Sequence, residues 1–259
     1  MFIVALRIFS VALLTLFWSV PVILLSFLDP YAERSARLIR FWARGVLWVC
    51  RVKVHVHGRH RLPLDRAVLF MANHQSNFDI PILMAAFDTL QVRWVSKQEV
   101  RKVPVLGLCM QVTHQVLVDR DSPTQAISVI RQVKKLLDAG ISVVLFPEGT
   151  RTRDGHLQPF KPGGFAVAVA TGAPVVPVTL KGSGAIWPPG GLALRPGTVE
   201  VVFGEPIQVD IHANKKTARE DLLTKVQEAI ATCYNDSSMT PSQIQPVVPT
   251  SAPERRASV

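Results

Sequence analysis

The chain has 259 residues, 48% of them hydrophobic, a formal net charge of +10 and three cysteines. That length suits one domain with a substantial core plus appendages, and the wide spacing of Cys50, Cys109 and Cys233 argues against a disulfide scaffold, a zinc cluster or a dithiol redox centre. Residues 1–62 hold nine Lys/Arg against Asp29 and Glu33, so most of the positive excess sits beside an N-terminal apolar segment, which points to a membrane surface rather than a nucleic-acid groove.

Ile8–Leu28 is 21 residues without a charge. As a helix it is about 31 Å long, enough to cross a hydrocarbon core, with a kink expected at Pro21. A cleaved signal peptide is the competing reading. No small-x-small cleavage site follows and the cysteine usage indicates a reducing compartment, so the segment is read as retained and the body as cytosolic. Arg34, Arg37, Arg40, Arg44 and Arg51 then recur at helical spacing, with Leu38, Ile39, Trp42, Val46 and Val49 on the opposite side. The pattern fits a helix lying in the headgroup plane, arginines toward phosphates; the alternative is an amphipathic helix packed on its own domain. The basic flank predicts a catalytic body on the cytoplasmic side of the inner membrane. One span plus a surface helix, and a hairpin in one leaflet, both remain open.

From residue 52 the pattern is that of an α/β domain. Short apolar or β-branched runs at Val52–Val56, Val68–Met71, Val92–Val95, Val116–Val118, Ser142–Phe146, Val175–Val178 and Val199–Phe203 are read as strands. Helical patterns lie near 79–88, 123–139, 161–171 and 216–233. Strands alternating with helices imply a mixed, largely parallel sheet flanked by helices. The expected organisation is a membrane helix plus basic helix over 1–51, one catalytic domain over 52–235, and a Pro/Ser/Thr-rich disordered tail over 236–259.

The polar stretch "NHQSNFD" (73–79) interrupts this apolar chain between a strand and a helix. His74 and Asp79 stand five residues apart across the turn. That spacing lets a carboxylate hold one imidazole nitrogen and leave the other as a general base, the His–Asp half of a serine triad without the serine. Such a site takes its nucleophile from outside, and a substrate hydroxyl suffices. On spacing alone, a hydrogen-bonded turn with Asp79 capping the helix fits as well. Two further strand ends carry polar groups: "LFPEGTRTRDG" (145–155), with Glu148, Gly149, Thr150 and Arg151, and "VLVDRD" (116–121), with Asp119 and Arg120. Arginine binds phosphate bidentately, and Gly149 lets backbone N–H groups approach.

Four blocks, "NHQSNFD", "VLVDR", "FPEGTR" and "APVVPV" (173–178), resemble in order the four motifs of the 1-acyl-sn-glycerol-3-phosphate acyltransferases, within the glycerolipid acyltransferase family. "SKQEVRKVPVLG" (96–107) and "FKPGGF" (160–165) are similar to its connecting segments. The resemblance covers roughly residues 52–210. It departs in the second block, where a glycine usually precedes the Asp-Arg and His114-Gln115 stand here. The resemblance implies a glycerol-3-phosphate acyltransferase-like fold. It implies that His74 deprotonates an acceptor hydroxyl that attacks an acyl thioester, and that Asp79 orients His74 and stabilises its cation. It also implies that Arg120 and Arg151, with Glu148, Gly149, Thr150 and Lys161 around them, hold the acceptor phosphate. The donor would be acyl-CoA or acyl carrier protein, the acceptor lysophosphatidic acid, and the product phosphatidic acid for phospholipid synthesis. No metal, other cofactor, nucleic acid or covalent enzyme intermediate is called for.

Other features compete less well. His55 and His57 share a strand face in "VHVHGRHR" (54–61), but no carboxylate or cysteine lies nearby for a metal. His114 near Asp119 lacks the context of a second dyad, and Trp187–Gly191 reads as a rigid surface loop. The rival functions are an acyltransferase for another acceptor (a lyso-ornithine lipid, another lysophospholipid or glycerol 3-phosphate), a non-catalytic lipid-binding protein on the same fold, and a metal hydrolase.

Overall fold

The computed structural model describes residues 2–28, 30–119, 125–191 and 193–236. The seven expected strands are all present: β1 (Val52–His57), β2 (Leu69–Ala72), β3 (Val92–Lys97), β4 (Val116–Val118), β5 (Ser142–Leu145), β6 (Val175–Lys181) and β7 (Gly197–Phe203). They join in one sheet of order β1-β7-β6-β2-β5-β3-β4. Every neighbouring pair is parallel except β6 with β7, the mixed, largely parallel sheet that the alternation of strands and helices predicts.

Side-chain alternation sends each central strand into two cores. Phe70 and Ala72 of β2 pack on one face beneath α2 (Glu33–Cys50) and α3 (Asp79–Phe87). Leu69 and Met71 pack on the other beneath α5 (Gln125–Asp138), α6 (Pro162–Thr171) and α8 (Lys215–Asn235). Burial on both faces explains why these strands read as unbroken apolar runs. Helix α6 starts on Pro162 and stops at Gly172, which takes φ 68°, the usual division of labour between the two residues. Because β2, β3, β4, β5 and β6 run the same way, their C-terminal ends form one edge, and all the polar blocks of the sequence follow those ends.

Two short helices, α4 (Leu106–Val112) and α7 (Ser183–Ile186), and two 3-10 turns, at Arg59–Arg61 and Gln98–Lys102, go beyond the expected elements. The N-terminal region also differs from expectation. Helix α1 (Phe2–Ser26) begins before the charge-free stretch and includes Arg7 and Pro21. Arg7 turns inward and donates to the carbonyl of Leu194 at 3.2 Å. Val4, Ile8, Val11 and Leu14 pack against the first core, while Phe2, Leu6, Phe9, Leu13, Leu16, Phe17, Val20 and Leu24 are exposed. Helix α1 is long and apolar enough to cross a membrane.

Helix α2 corrects the headgroup-plane reading. Ala43, Val46, Leu47 and Cys50 are buried in the first core, so the side expected among acyl chains belongs to the domain. Trp42 donates its indole N–H to Thr15 of α1 at 3.1 Å, and Arg44 pairs with Asp88 at 3.0 Å. Arginine spacing marks which side of a helix stays wet; it does not say what covers the dry side. A boundary at 51/52 therefore cuts through packed structure. Of the proposed tail, 237–259 lies outside the described residues.

Candidate active site

Strand β2 ends at Ala72, and the next residue fixes the geometry of the turn. Buried Asn73 donates its side-chain amide to Leu180 O at 2.9 Å and accepts from Leu180 N at 2.7 Å, which pins the end of β2 to β6. The chain then turns, and Asp79, at the first position of α3, folds its carboxylate back into the turn. Its Oδ2 accepts from Gln75 N at 2.7 Å, from Ser76 N at 2.9 Å and from His74 Nδ1 at 2.7 Å. The turn is hydrogen-bonded as expected, but Asp79 does not cap α3: its Oδ2 takes N–H groups that precede the helix and holds the imidazole with the same oxygen. Its other oxygen, Oδ1, is buried and meets no hydrogen-bond donor among the described residues. Since Oδ2 only accepts, Nδ1 carries the hydrogen. Nε2 of the neutral ring is left with a free lone pair, on a side chain 19% exposed.

The loop after β5 clamps His74 from the other side. Glu148 Oε1 accepts from His74 N at 2.6 Å, and Oε2 accepts from Gln158 N at 2.9 Å. Thr152 N donates to His74 O at 2.9 Å. Both backbone groups of the histidine are therefore held by the "FPEGTR" segment and the residue after it, and Phe146 stacks on the imidazole at 3.9 Å between centroids, 16° from parallel. Trp94 of β3 stacks behind Phe146 at 6.0 Å. Burial pushes the Glu148 carboxyl up to about 7, and nearby Asp79 adds to this. The N–H groups of His74 and Gln158 pull the other way. Glu148 is a buried clamp on the histidine backbone, where the resemblance had implied a wall of the phosphate loop.

The remaining expected residues divide. Gly149 has φ +75°, and a Cβ there would stand 3.1 Å from Lys161 Cδ, so the glycine and Lys161 are neighbours. Lys161 is exposed and closes the loop by donating its N–H to Pro147 O at 2.8 Å. Thr150 and Arg151 lie on the same loop, both exposed. Arg120 lies outside the described residues, directly after Asp119 at the end of β4. Lys97, which the sequence reading passed over, ends β3 beside β4 on the same edge of the sheet. Among the described residues no three His, Cys, Asp or Glu side chains gather as a metal site. His114 packs edge-on to Tyr31 before β4, whereas Asp119 follows that strand. Trp187 is no free surface loop. Its carbonyl accepts from Ser76 Oγ at 2.8 Å, and its ring meets Phe78.

Sequence reasoning missed Phe146, Thr152, Gln158 and Asn73, along with the link from Gln75 through the Tyr234 hydroxyl to Gly155 O. The only available signal was position: Phe146 and Thr152 lie in or beside a polar block that follows a buried strand. Chemically, the arrangement is a fixed imidazole base on a strand edge, flanked by basic loops and free of a protein nucleophile on its accepting side among the described residues.

The chain is similar to known proteins over most of its length. The acyltransferase family model matches residues 53–181. A chloroplastic 1-acyl-sn-glycerol-3-phosphate acyltransferase of Arabidopsis thaliana is 34% identical over 74% of this chain and 54% of its own length. The chain thus spans about half the length of the plant relatives it matches. The 1-acyl-sn-glycerol-3-phosphate acyltransferase of Pseudomonas aeruginosa is 31% identical over 70% of this chain and 71% of its own. The crystal structure of the 1-acyl-sn-glycerophosphate acyltransferase PlsC from Thermotoga maritima superposes with a TM-score of 0.75 at 25% identity, covering 92% of this chain and 97% of that one.

Proposed function

This chain belongs to the acyltransferase family that contains these 1-acyl-sn-glycerol-3-phosphate acyltransferases, and we propose that it transfers a fatty acyl group from a thioester to the free hydroxyl of 1-acyl-sn-glycerol 3-phosphate, giving phosphatidic acid. The observation that carries the reading is the 2.7 Å contact between His74 Nδ1 and Asp79 Oδ2, with Nε2 left to act. The acceptor O–H gives its proton to Nε2 as the oxygen attacks the thioester carbon. The tetrahedral adduct then collapses with cleavage of the C–S bond, and the imidazolium returns the proton to the leaving thiolate. Asp79 stabilises the cation that exists between those steps. Glu148, Thr152 and Phe146 hold the ring, which lowers the cost of reaching the reactive geometry. Arg151, Lys161 and Arg120 supply the cationic rim for the acceptor phosphate, and acyl-CoA or acyl carrier protein supplies the acyl group.

On the same reading the enzyme sits on a membrane with its body on the cytoplasmic side. Helix α1 is laid along the domain from Val4 to Leu14, so it rests in one leaflet with its outer apolar face among acyl chains, and the domain stays in water. The test is purified full chain assayed with acyl-CoA and acyl carrier protein thioesters against a panel of lyso-lipids, beside His74→Ala. Transfer to lysophosphatidic acid by the native chain, abolished in the variant, is expected. Undiminished turnover by His74→Ala protein sinks the mechanism, and preference for another lyso-lipid sinks the acceptor assignment.

A further inference from the structure

The stretch from the end of β3 into the first turn of α4 shows its apolar side chains to solvent in a fixed shape. Val103, Leu106 and Leu108 are 47%, 43% and 48% exposed. Pro104 is exposed with them, and exposed Arg101 and Lys102 precede them. This is not slack loop. Val105 has φ 63° and ψ −56°, a conformation that a β-branched residue adopts only under strain. It centres a γ-turn in which Leu106 N donates to Pro104 O at 2.6 Å. Gly107 permits the fold-back, since a Cβ there would come within 2.2 Å of Arg101 O. Strain retained at an exposed apolar turn calls for a use. Helix α4 packs against α1, so this turn adjoins the helix whose outer face is apolar, and β3 ends on the sheet edge that carries His74.

We propose that Arg101–Leu108 is a second lipid-contacting element, seating Val103, Pro104, Leu106 and Leu108 among acyl chains with Arg101 and Lys102 at anionic headgroups. The inference rests on the membrane reading of α1 above and adds a distinct contact. The occupant is a bilayer rather than a protein groove because the apolar residues join an already apolar helix face and are preceded by cations, the order of groups met on entering an anionic leaflet. Held on both α1 and this turn, the catalytic edge faces the lipid from which a lyso-lipid must rise to reach His74.

The test uses the full chain with Cys109→Ser and Cys233→Ser, leaving Cys50 buried. An environment-sensitive fluorophore is attached at Leu106→Cys, at Phe17→Cys on α1, or at Ile127→Cys on α5. Each protein is mixed with vesicles of phosphatidylglycerol and phosphatidylcholine, and with vesicles of phosphatidylcholine alone. The expected result is a blue shift at positions 106 and 17, stronger on the anionic vesicles, and none at 127. A shift at 17 with 106 behaving like 127 overturns this inference and leaves the reading of α1 intact. No shift at either position overturns both, and equal shifts at all three mean general adhesion and also overturn it. In parallel, Val103→Ser/Leu106→Ser/Leu108→Ser should raise KM for vesicle-borne lyso-lipid about tenfold or more through lost apolar contact. Turnover of a short, soluble lyso-substrate should be unchanged. Equal losses on both substrates would assign the turn to the catalytic fold instead.

Discussion

At the scale of single residues the site depends on one oxygen. Asp79 Oδ2 serves two backbone N–H groups and the imidazole together. Asp79→Asn therefore removes the cation's partner, and if its amide nitrogen turns inward it also opposes those N–H groups with another donor. Turnover should fall by about three to four orders of magnitude, as in serine triads, measured as kcat with saturating acceptor. Glu148 tests a different property. Its folded carboxyl is raised from the ordinary 4.5 to about 7, so the folded chain holds that proton more tightly than the unfolded chain. The stabilisation is complete below about pH 4.5 and is lost as pH rises through about 7. Glu148→Gln loses the second acceptor for His74 N or Gln158 N, costing about 1–3 kcal/mol at every pH. It also removes the titration. The Tm gap between native chain and variant should therefore narrow as pH rises from 4.5 to 7; a constant gap would mean that Glu148 is ionised throughout.

At the scale of elements, much was legible and the exceptions have physical causes. The strands could be read because the central ones bury apolar residues on both faces. The His74/Asp79 pair could be read because six polar groups between two apolar runs have few structural uses. Helix α4 could not, since seven residues bounded by a strained valine and a threonine carry no capping or periodic signal. The fate of α2 was illegible for the reason already visible in Arg44: the same arginine spacing serves a headgroup or an aspartate at the end of α3. The structure splits the stripe. Arg44 holds Asp88, and Arg59 reaches the same carboxylate at 3.3 Å, so Arg44→Ala should cost about 1 kcal/mol or less of stability for a half-exposed pair, seen as a slight fall in Tm, and leave vesicle binding alone. Arg37, exposed and on the same stripe, should do the reverse, Arg37→Glu weakening anionic-vesicle binding without moving Tm. In the "FPEGTR" loop, Arg151→Ala should raise KM for the phosphate-bearing acceptor roughly ten- to hundredfold by loss of one charge-assisted contact, with donor KM unchanged. Damage confined to donor KM would reassign that arginine.

For the whole molecule the question is which force would hold the chain on the proposed lipid surface. Arginines near an anionic leaflet contribute about 1 kcal/mol each and are screened within a Debye length. A leucine or phenylalanine moved fully out of water contributes about 1.5–3 kcal/mol, and α1 alone exposes large apolar residues along one side from Phe2 to Leu24. The apolar term still outweighs the ionic one, by about twofold, when each side chain is only half inserted. Salt alone should therefore fail to release the intact chain from vesicles. Removing α1 is a poor test, because its inner side covers the first core and Gly45 of α2 lies against Leu14, so truncation would expose the domain as well as free it. The cleaner variant is Leu13→Asp/Phe17→Asp, which changes only outward side chains 50% and 68% exposed. Its Tm should match the native chain, and its binding to phosphatidylglycerol vesicles should become reversible and fall steeply with ionic strength, read by co-sedimentation across a salt series. If the doubly substituted chain still pellets with vesicles at high salt, the outer face of α1 is not what holds the enzyme to lipid.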